Sequence, residues 1–238
     1  GTSMIDQFGR RVEYLRVSVT DKCNLRCIYC MPLEGLTWLK RDELLNYEEI
    51  ETVIRTMAGM GLRRVRITGG EPLIRRDLPD LIRKISAIPE IEDLSLSTNA
   101  VLLADQAQDL RDAGIQRLNI SLDSLQQDRV DEIARRPGSF PKIFEGLEAA
   151  ERVGFAPIKV NVVLIRGRND DEIEDFARIT KERPWHVRFI EMMPTGSNLD
   201  LSANSFISCQ ETLARVRAID QLEPVDGPFG NGPADYYR

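Results

Sequence analysis

The chain has 238 residues, a net charge of −6, 42% hydrophobic and 29% charged residues, which is the balance of a folded globular protein with a sizeable core. The acidic balance excludes a general basic field that would draw the protein to nucleic acid or to an anionic membrane. No apolar run reaches the length of a membrane span, although a few arginines gathered in one pocket could still hold a small anion. The Gly1-Thr2-Ser3 lead reads as a tag remnant, and no signal-peptide pattern follows it. Residues 4–238 are therefore expected to form a single domain, and sparse cysteines place it in the cytoplasm.

The expected elements alternate along the chain. Residues 14–20 (YLRVSVT) are a strand, and 46–60 a helix capped by Asn46, with Glu49 three residues on and Ile50, Val53, Ile54 and Met57 on one face. A strand at 64–68 (RVRIT) precedes a helix at 77–87. A strand at 93–97 precedes a helix at 103–113 that stops at Gly114. Next come a strand at 117–122, helices at 125–134 and 140–153, a long apolar strand at 158–165 and a helix at 170–181. A sixth strand at 187–191 and a helix at 210–219 complete the pattern, and residues 226–238, rich in Gly and Pro, read as irregular.

Six β/α units imply a parallel sheet with right-handed crossovers. An open doubly wound sheet and a barrel both fit that alternation. Nearly every strand ends in a polar or glycine cluster: Thr20-Asp21, Thr68-Gly69-Gly70, Thr98-Asn99, Ser121 to Asp123, Arg166-Gly167 and Glu191. Six such ends suit the single mouth of an α/β, partial (β/α)6 TIM-type barrel.

Three of the four cysteines form C-x₃-C-x₂-C, Cys23, Cys27 and Cys30, directly after the first strand. Three thiolates on one short loop can wrap a [4Fe–4S] cluster and leave its fourth iron open. A structural zinc site would need a fourth ligand, and Cys209, beyond the sixth strand, is the one cysteine left. A redox pair made of Cys27 and Cys30 would leave Cys23 without a role. Cys209 reads as a small apolar residue at a helix start, and His186 as a hydrogen-bonded structural residue.

The cysteine loop with Tyr29 before its last Cys, followed one strand later by Gly69-Gly70-Glu71-Pro72, resembles the radical S-adenosylmethionine (SAM) superfamily. Over nearly the whole chain the similarity is to the GTP 3′,8-cyclase (MoaA) family of molybdenum-cofactor biosynthesis. It is carried by LRVSVTDKCNLRC (15–27), Cys30-Met31-Pro32, VRITGGEPLIRRDL (65–78), Ser97-Thr98-Asn99, NISLDS (119–124), KVNVV (159–163) and RFIEMMP (188–194).

The resemblance implies a [4Fe–4S] cluster on Cys23, Cys27 and Cys30, with SAM on its open iron and against Tyr29, Gly70, Ser121 and Met193. It implies GTP against Arg16, Arg66, Thr98 and Lys159, of which the three cations are the candidate catalytic residues. Reduction by an electron donor would cleave SAM to a 5′-deoxyadenosyl radical. That radical would take the C3′ hydrogen of GTP, and C3′ would join C8, giving 3′,8-cyclo-7,8-dihydro-GTP.

Each residue also has a plainer reading. Arg66 could face solvent, Lys159 could snorkel at a strand start, Thr98 and Ser121 could cap helices, and Met193 could fill a core gap. A basic residue within an otherwise apolar strand nonetheless calls for an anionic partner when the strand is buried. The family also implies a C-terminal region with a second [4Fe–4S] cluster, whose ligands the chain lacks. A truncated form is therefore expected, able to cleave SAM, poor at cyclising GTP, and prone to self-association as a homodimer through uncovered apolar surface. Alternative functions are a radical SAM peptide or protein modifier and a catalytically silent iron–sulfur scaffold.

Overall fold

Six strands pair in parallel in the order β1 to β6: β1 Tyr14–Ser18, β2 Arg64–Thr68, β3 Asp93–Thr98, β4 Arg117–Ser121, β5 Ile158–Val163 and β6 Trp185–Ile190. They are seen in a computed structural model, which describes residues 4–30, 43–192, 201 and 203–218. Among the described residues seven α-helices connect or follow them: α1 Tyr47–Gly59, α2 Leu78–Ser86, α3 Ala107–Ala113, α4 Gln127–Ala134, α5 Ser139–Arg152, α6 Ile173–Glu182 and α7 Cys209–Arg217. Strictly sequential order decides between the two architectures. A doubly wound sheet reverses its order midway and covers both faces with helices. Right-handed crossovers that never reverse put every helix on one face and leave the other as an interior. Among the described residues β1 and β6 do not pair, so the sheet is an open arc, a partial barrel of the expected class.

Period-two alternation sorts the side chains. Val65, Ile67, Leu94, Leu96, Leu118, Ile120, Ile158, Val160 and Val162 are buried and belong to one continuous core with the helices. Across that core α2 contributes Leu78, Leu81, Ile82 and Ile85, and α5 contributes Ile143 and Leu147. The alternate positions, polar and cationic, face the interior.

Helix α1 begins as its sequence requires. The Asn46 side chain accepts from the Glu49 N–H at 2.7 Å, and Glu49 returns the bond to the Asn46 N–H at 3.1 Å. Its buried stripe is Ile50, Ile54 and Ala58, spaced by four. Val53, expected on that stripe, flanks it and is 46% exposed. Helix α3 starts four residues later than the spacing suggested. The Thr98 and Asn99 side chains accept from the N–H groups of Ala100 and Val101, and turns at Ala100–Leu103 and Leu103–Gln106 follow. Those bonds compete with helix formation. Gly114, at φ +125°, ends α3 where a side chain would be strained. Among the described residues no helix is long and apolar enough to cross a membrane. The tail expected to be irregular lies outside the described residues.

One buried amide ties the ends of β4 and β5 together. Asn169, fully buried, donates to the Asp123 and Val163 carbonyls at 2.6 and 2.8 Å, and accepts from the Ile165 N–H at 2.7 Å. Asn169→Ala strands three buried backbone groups, at about 1–3 kcal/mol each before relaxation. A loss of about 3 kcal/mol in urea unfolding is expected. Asn169→Asp, which restores the acceptor but not the donors, should recover only part of it.

Candidate functional site at the mouth and interior of the sheet

The cysteine loop follows β1 and has little regular structure of its own. Its position comes from neighbours. The N–H groups of Arg26 and Ile28 donate to the carbonyls of Ala134 and Ile133 at 2.9 Å, and Arg136 donates to the Asn24 carbonyl at 2.6 Å. Leu25 and Ile28 turn inward and are buried, while Cys23 and Cys27 are half-buried and Cys30 is exposed. Residues two apart thus point opposite ways and residues three apart point the same way, with apolar side chains down and thiols outward.

The three thiols sense one another. Burial pushes the Cys23 thiol up. The Cys27 thiol, hydrogen-bonded to Cys30 and buried, is pushed well up. The same bond lowers Cys30, helped by Arg135 and Arg26 nearby. The Leu25 N–H at 3.5 Å and the Asn99 amide at 3.9 Å point at the Cys23 sulfur, the kind of donor that a ligating thiolate takes. Among the described residues no three of His, Cys, Asp and Glu are arranged to hold a single metal ion. A cubane cluster asks for something else, since each thiolate takes a different iron and the sulfurs surround a volume. A loop with three outward, coupled thiols fits that group better than it fits zinc.

Tyr29 anchors the loop to β4. Its hydroxyl donates to Asp123 at 2.7 Å, and the Val163 N–H donates to the other oxygen at 2.9 Å. Burial pushes the Asp123 carboxyl up to about 6 against those two donors. Burial, with Asp123 beside it, pushes the Tyr29 hydroxyl well up, so it stays protonated as the donor.

The glycines after β2 have a direct steric reason. The Gly70 N–H donates to the Thr20 carbonyl at 2.8 Å, and the Glu71 N–H to the Lys22 carbonyl at 2.7 Å. A Cβ on Gly70 would stand 2.2 Å from the Lys22 oxygen, and one on Gly69 2.6 Å from the Thr20 oxygen. Only glycine lets this turn lie against the start of the cysteine loop. Glu71, 1% exposed, then spans to β3. It accepts from the Thr98 hydroxyl at 2.6 Å, the Asn99 N–H at 2.7 Å and the Leu73 N–H at 3.1 Å. Burial pushes its carboxyl up, opposed by those donors.

The interior holds the cations. Arg16 pairs in register with Arg66, Arg66 with Ser95, and Ser95 with Arg117. One layer nearer the mouth, Asn119 pairs with Lys159 and Lys159 with His186; Asn161 pairs with Arg188 one layer further on. Burial, then Arg188, Arg117 and Arg66, push the Lys159 ammonium down to about 8. Burial and the neighbouring Arg188, Arg16 and Arg117 also lower Arg66, which lies 5.7 Å over the Tyr14 ring. An anion placed among these cations would favour the charged forms of Lys159 and Arg66.

The structure therefore brings Arg16, Arg66 and Lys159 into one electrostatic group, and Cys23, Cys27, Cys30, Tyr29 and Gly70 into one mouth. Ser121 ends β4 at that mouth, exposed and in register with Asn161. Thr98 stands apart from the cations, because it is 4% exposed and its hydroxyl serves Glu71. Met193 lies outside the described residues. His186, expected as a plain structural residue, lines the interior beside Lys159, where burial and that lysine lower it. Arg117, Arg188, Glu71 and Asp123 were missed as candidates. The alternation in RLNIS and WHVRFI was signal enough for the first two. The two acids needed their partners, 27 and 94 residues away in sequence.

Gly70→Ala is expected to force the cysteine loop away from β2, at the ~1–3 kcal/mol typical of overpacking. Urea unfolding would show it. Gly59→Ala, where the added carbon meets nothing within 4 Å, should be neutral or stabilising.

Comparison with known proteins extends these observations. The profile of the Radical SAM superfamily matches residues 17–179. A GTP 3′,8-cyclase of Pelotomaculum thermopropionicum is 47% identical over 236 residues, covering 99% of this chain and 72% of that protein. One from Listeria monocytogenes serotype 4b is 49% identical over 234 residues, covering 98% and 70%. The Streptococcus suis protein SuiB, solved with S-adenosylmethionine bound, superposes with a TM-score of 0.66 at 17% identity, covering 87% of this chain and 46% of its own; that likeness concerns the fold alone. With a profile match over most of its length and near-half identity to these cyclases, the chain belongs to the radical SAM superfamily and, within it, to the GTP 3′,8-cyclase family.

Proposed function

We propose that the chain converts GTP to 3′,8-cyclo-7,8-dihydro-GTP, a step of molybdenum-cofactor biosynthesis, with a [4Fe–4S] cluster and SAM as its cofactors. The observation that carries this reading is the placement of two unlike sites on one sheet. A three-thiol loop sits at the strand ends, and a cationic interior lies directly beneath it. Cys23, Cys27 and Cys30 would hold the cluster. Gly70, Tyr29 and Ser121 would face SAM, together with Met193. When bound, these cofactors supply a carbon-centred radical by one-electron reduction, so an electron donor is a required partner, and a cytoplasmic compartment suits the oxygen-sensitive chemistry.

The chain's own residues do the positioning. Arg16, Arg66 and Lys159 would grip the triphosphate through charge-assisted hydrogen bonds, which hold the ribose toward the mouth. Asp123 holds Tyr29, and Glu71 holds the turn at Gly70, so both walls of the mouth are set before any ligand arrives. The buried Leu25 and Ile28 beneath the loop keep water from its inner side.

Anaerobic reconstitution with iron and sulfide, followed by low-temperature electron paramagnetic resonance, tests this directly. A reduced-cluster signal that changes when SAM is added is expected, and Cys27→Ala should abolish it. A signal indifferent to SAM would refute the reading.

Nucleotide affinity should also depend on pH. An anion favours the charged Lys159, whose ammonium is pushed down to about 8 in the free protein. Binding above pH 8 must therefore take up a proton. GTP affinity should be flat between about pH 7, above the last ionisation of the terminal phosphate, and 8, and fall above 8 by at most about tenfold per pH unit. Lys159→Arg, charged throughout, should remove the fall in a titration series.

A further inference from the structure

Deep in the interior, below the mouth, lies a narrow gap lined by Arg66, Ser95, Arg117, Asn119 and Lys159. Two of its groups are unusual. The Ser95 hydroxyl oxygen and the Asn119 amide oxygen are buried with no hydrogen-bond partner, on residues only 2% and 3% exposed. Buried polar atoms in native proteins are nearly always satisfied, so an unsatisfied pair facing a gap walled by three cations points to a ligand. Next to the gap, Arg117 is held by an acid. Arg117 forks onto Asp93, its Nε 3.2 Å from one carboxylate oxygen and its Nη2 bonded to the other. Asp93 begins β3 and is an acidic floor beneath a cationic cup.

Depth identifies what the cup would receive. Parallel strands rise about 3.3 Å per residue. Asn119 therefore lies about 7 Å, and Arg117 about 13 Å, along β4 below Ser121 at the mouth. The reacting ribose must stay at the mouth, so only the far end of its phosphate chain reaches this level. The acidic floor repels anything anionic that would go deeper. The long Arg66 and Lys159 side chains would rotate to widen the gap.

We propose that Ser95 and Asn119, with Arg117 oriented by Asp93, seat the terminal phosphate of the nucleotide and so select a nucleoside triphosphate over its di- and monophosphate. The proposal rests on the GTP reading above and adds specificity residues to it. The Ser95 hydroxyl donates to a phosphate oxygen. The Asn119 amide, turned about its last torsion, presents its NH₂ group to another.

Equilibrium binding of GTP, GDP and GMP to the full chain, loaded with its cluster and SAM, tests this. The parent chain should bind GTP at least about tenfold tighter than GDP. Ser95→Ala and Asn119→Asp should each shrink that ratio several-fold while GDP affinity stays within twofold. Both changes are small, so folding is not at stake; Arg117→Lys, with Asp93 still partnered, should act in the same direction. Equal affinity of the parent for GTP and GDP would overturn the phosphate seat and leave the nucleotide reading standing. So would variants that weaken GTP and GDP alike. Failure of the parent to bind any of the three nucleotides would refute both.

Discussion

Cations on the inner face of a curled parallel sheet impose a condition on everything around them. Each strand has two faces, and here the outward one is given wholly to the helices through residues such as Val65, Leu96, Ile120 and Val160. The inward one carries Arg16, Arg66, Arg117, Lys159 and Arg188. Burial first, and then the like charges around them, lower the affinity of Lys159 and Arg66 for their protons. Asp93 relieves one member, Arg117. A bound anion would ease the repulsion among the others further. The period-two pattern that builds the core thus also sets the charge of what the interior binds.

The mouth obeys a different constraint. The cysteine loop lacks a ladder of its own, so its shape depends on contacts with the ends of other elements. Those contacts come from the turn after β2, from Asn99 after β3, from Asp123 after β4 and from the carbonyls that end α4. Glu71 makes the arrangement cooperative. It fixes its own turn through Leu73 and reaches β3 through Thr98 and Asn99, while Asn99 in turn donates to Asn24 in the cysteine loop. A change at any one strand end is therefore felt at the thiols. Rigid strands positioning mobile, chemically active loops is the usual division of labour in barrel folds.

Much of this was legible in the amino-acid pattern, and the parts that were not share a cause. Strand positions followed from alternation, and the RVRIT segment matched residue for residue. The α1 cap followed from Asn46 and Glu49. The three-cysteine loop, the paired glycines and the interior cations were visible because each rests on local spacing. The bond from Thr98 to Glu71, 27 residues away in sequence, was not legible, because nothing local announces it. Helix α3 was overextended because side-chain bonds from Thr98 and Asn99 hold the preceding stretch in turns, a competition that apolar periodicity does not record. Val53 was placed inward because three-residue spacing fits a helix face as well as four does. Only packing against the sheet chooses between them.

The two halves of the site also differ in sign, and the difference orients what binds. At the mouth are thiols and the buried carboxyls of Glu71 and Asp123; beneath it, the charged groups described above are cations until Asp93. A molecule with a cationic centre is favoured above, and one with an anionic tail is favoured with that tail pointing down. S-adenosylmethionine carries a sulfonium and an ammonium, and GTP carries its charge at one end. In the reading proposed above, a gradient of that sign along the strand axis would favour S-adenosylmethionine at the mouth and the triphosphate of GTP beneath it.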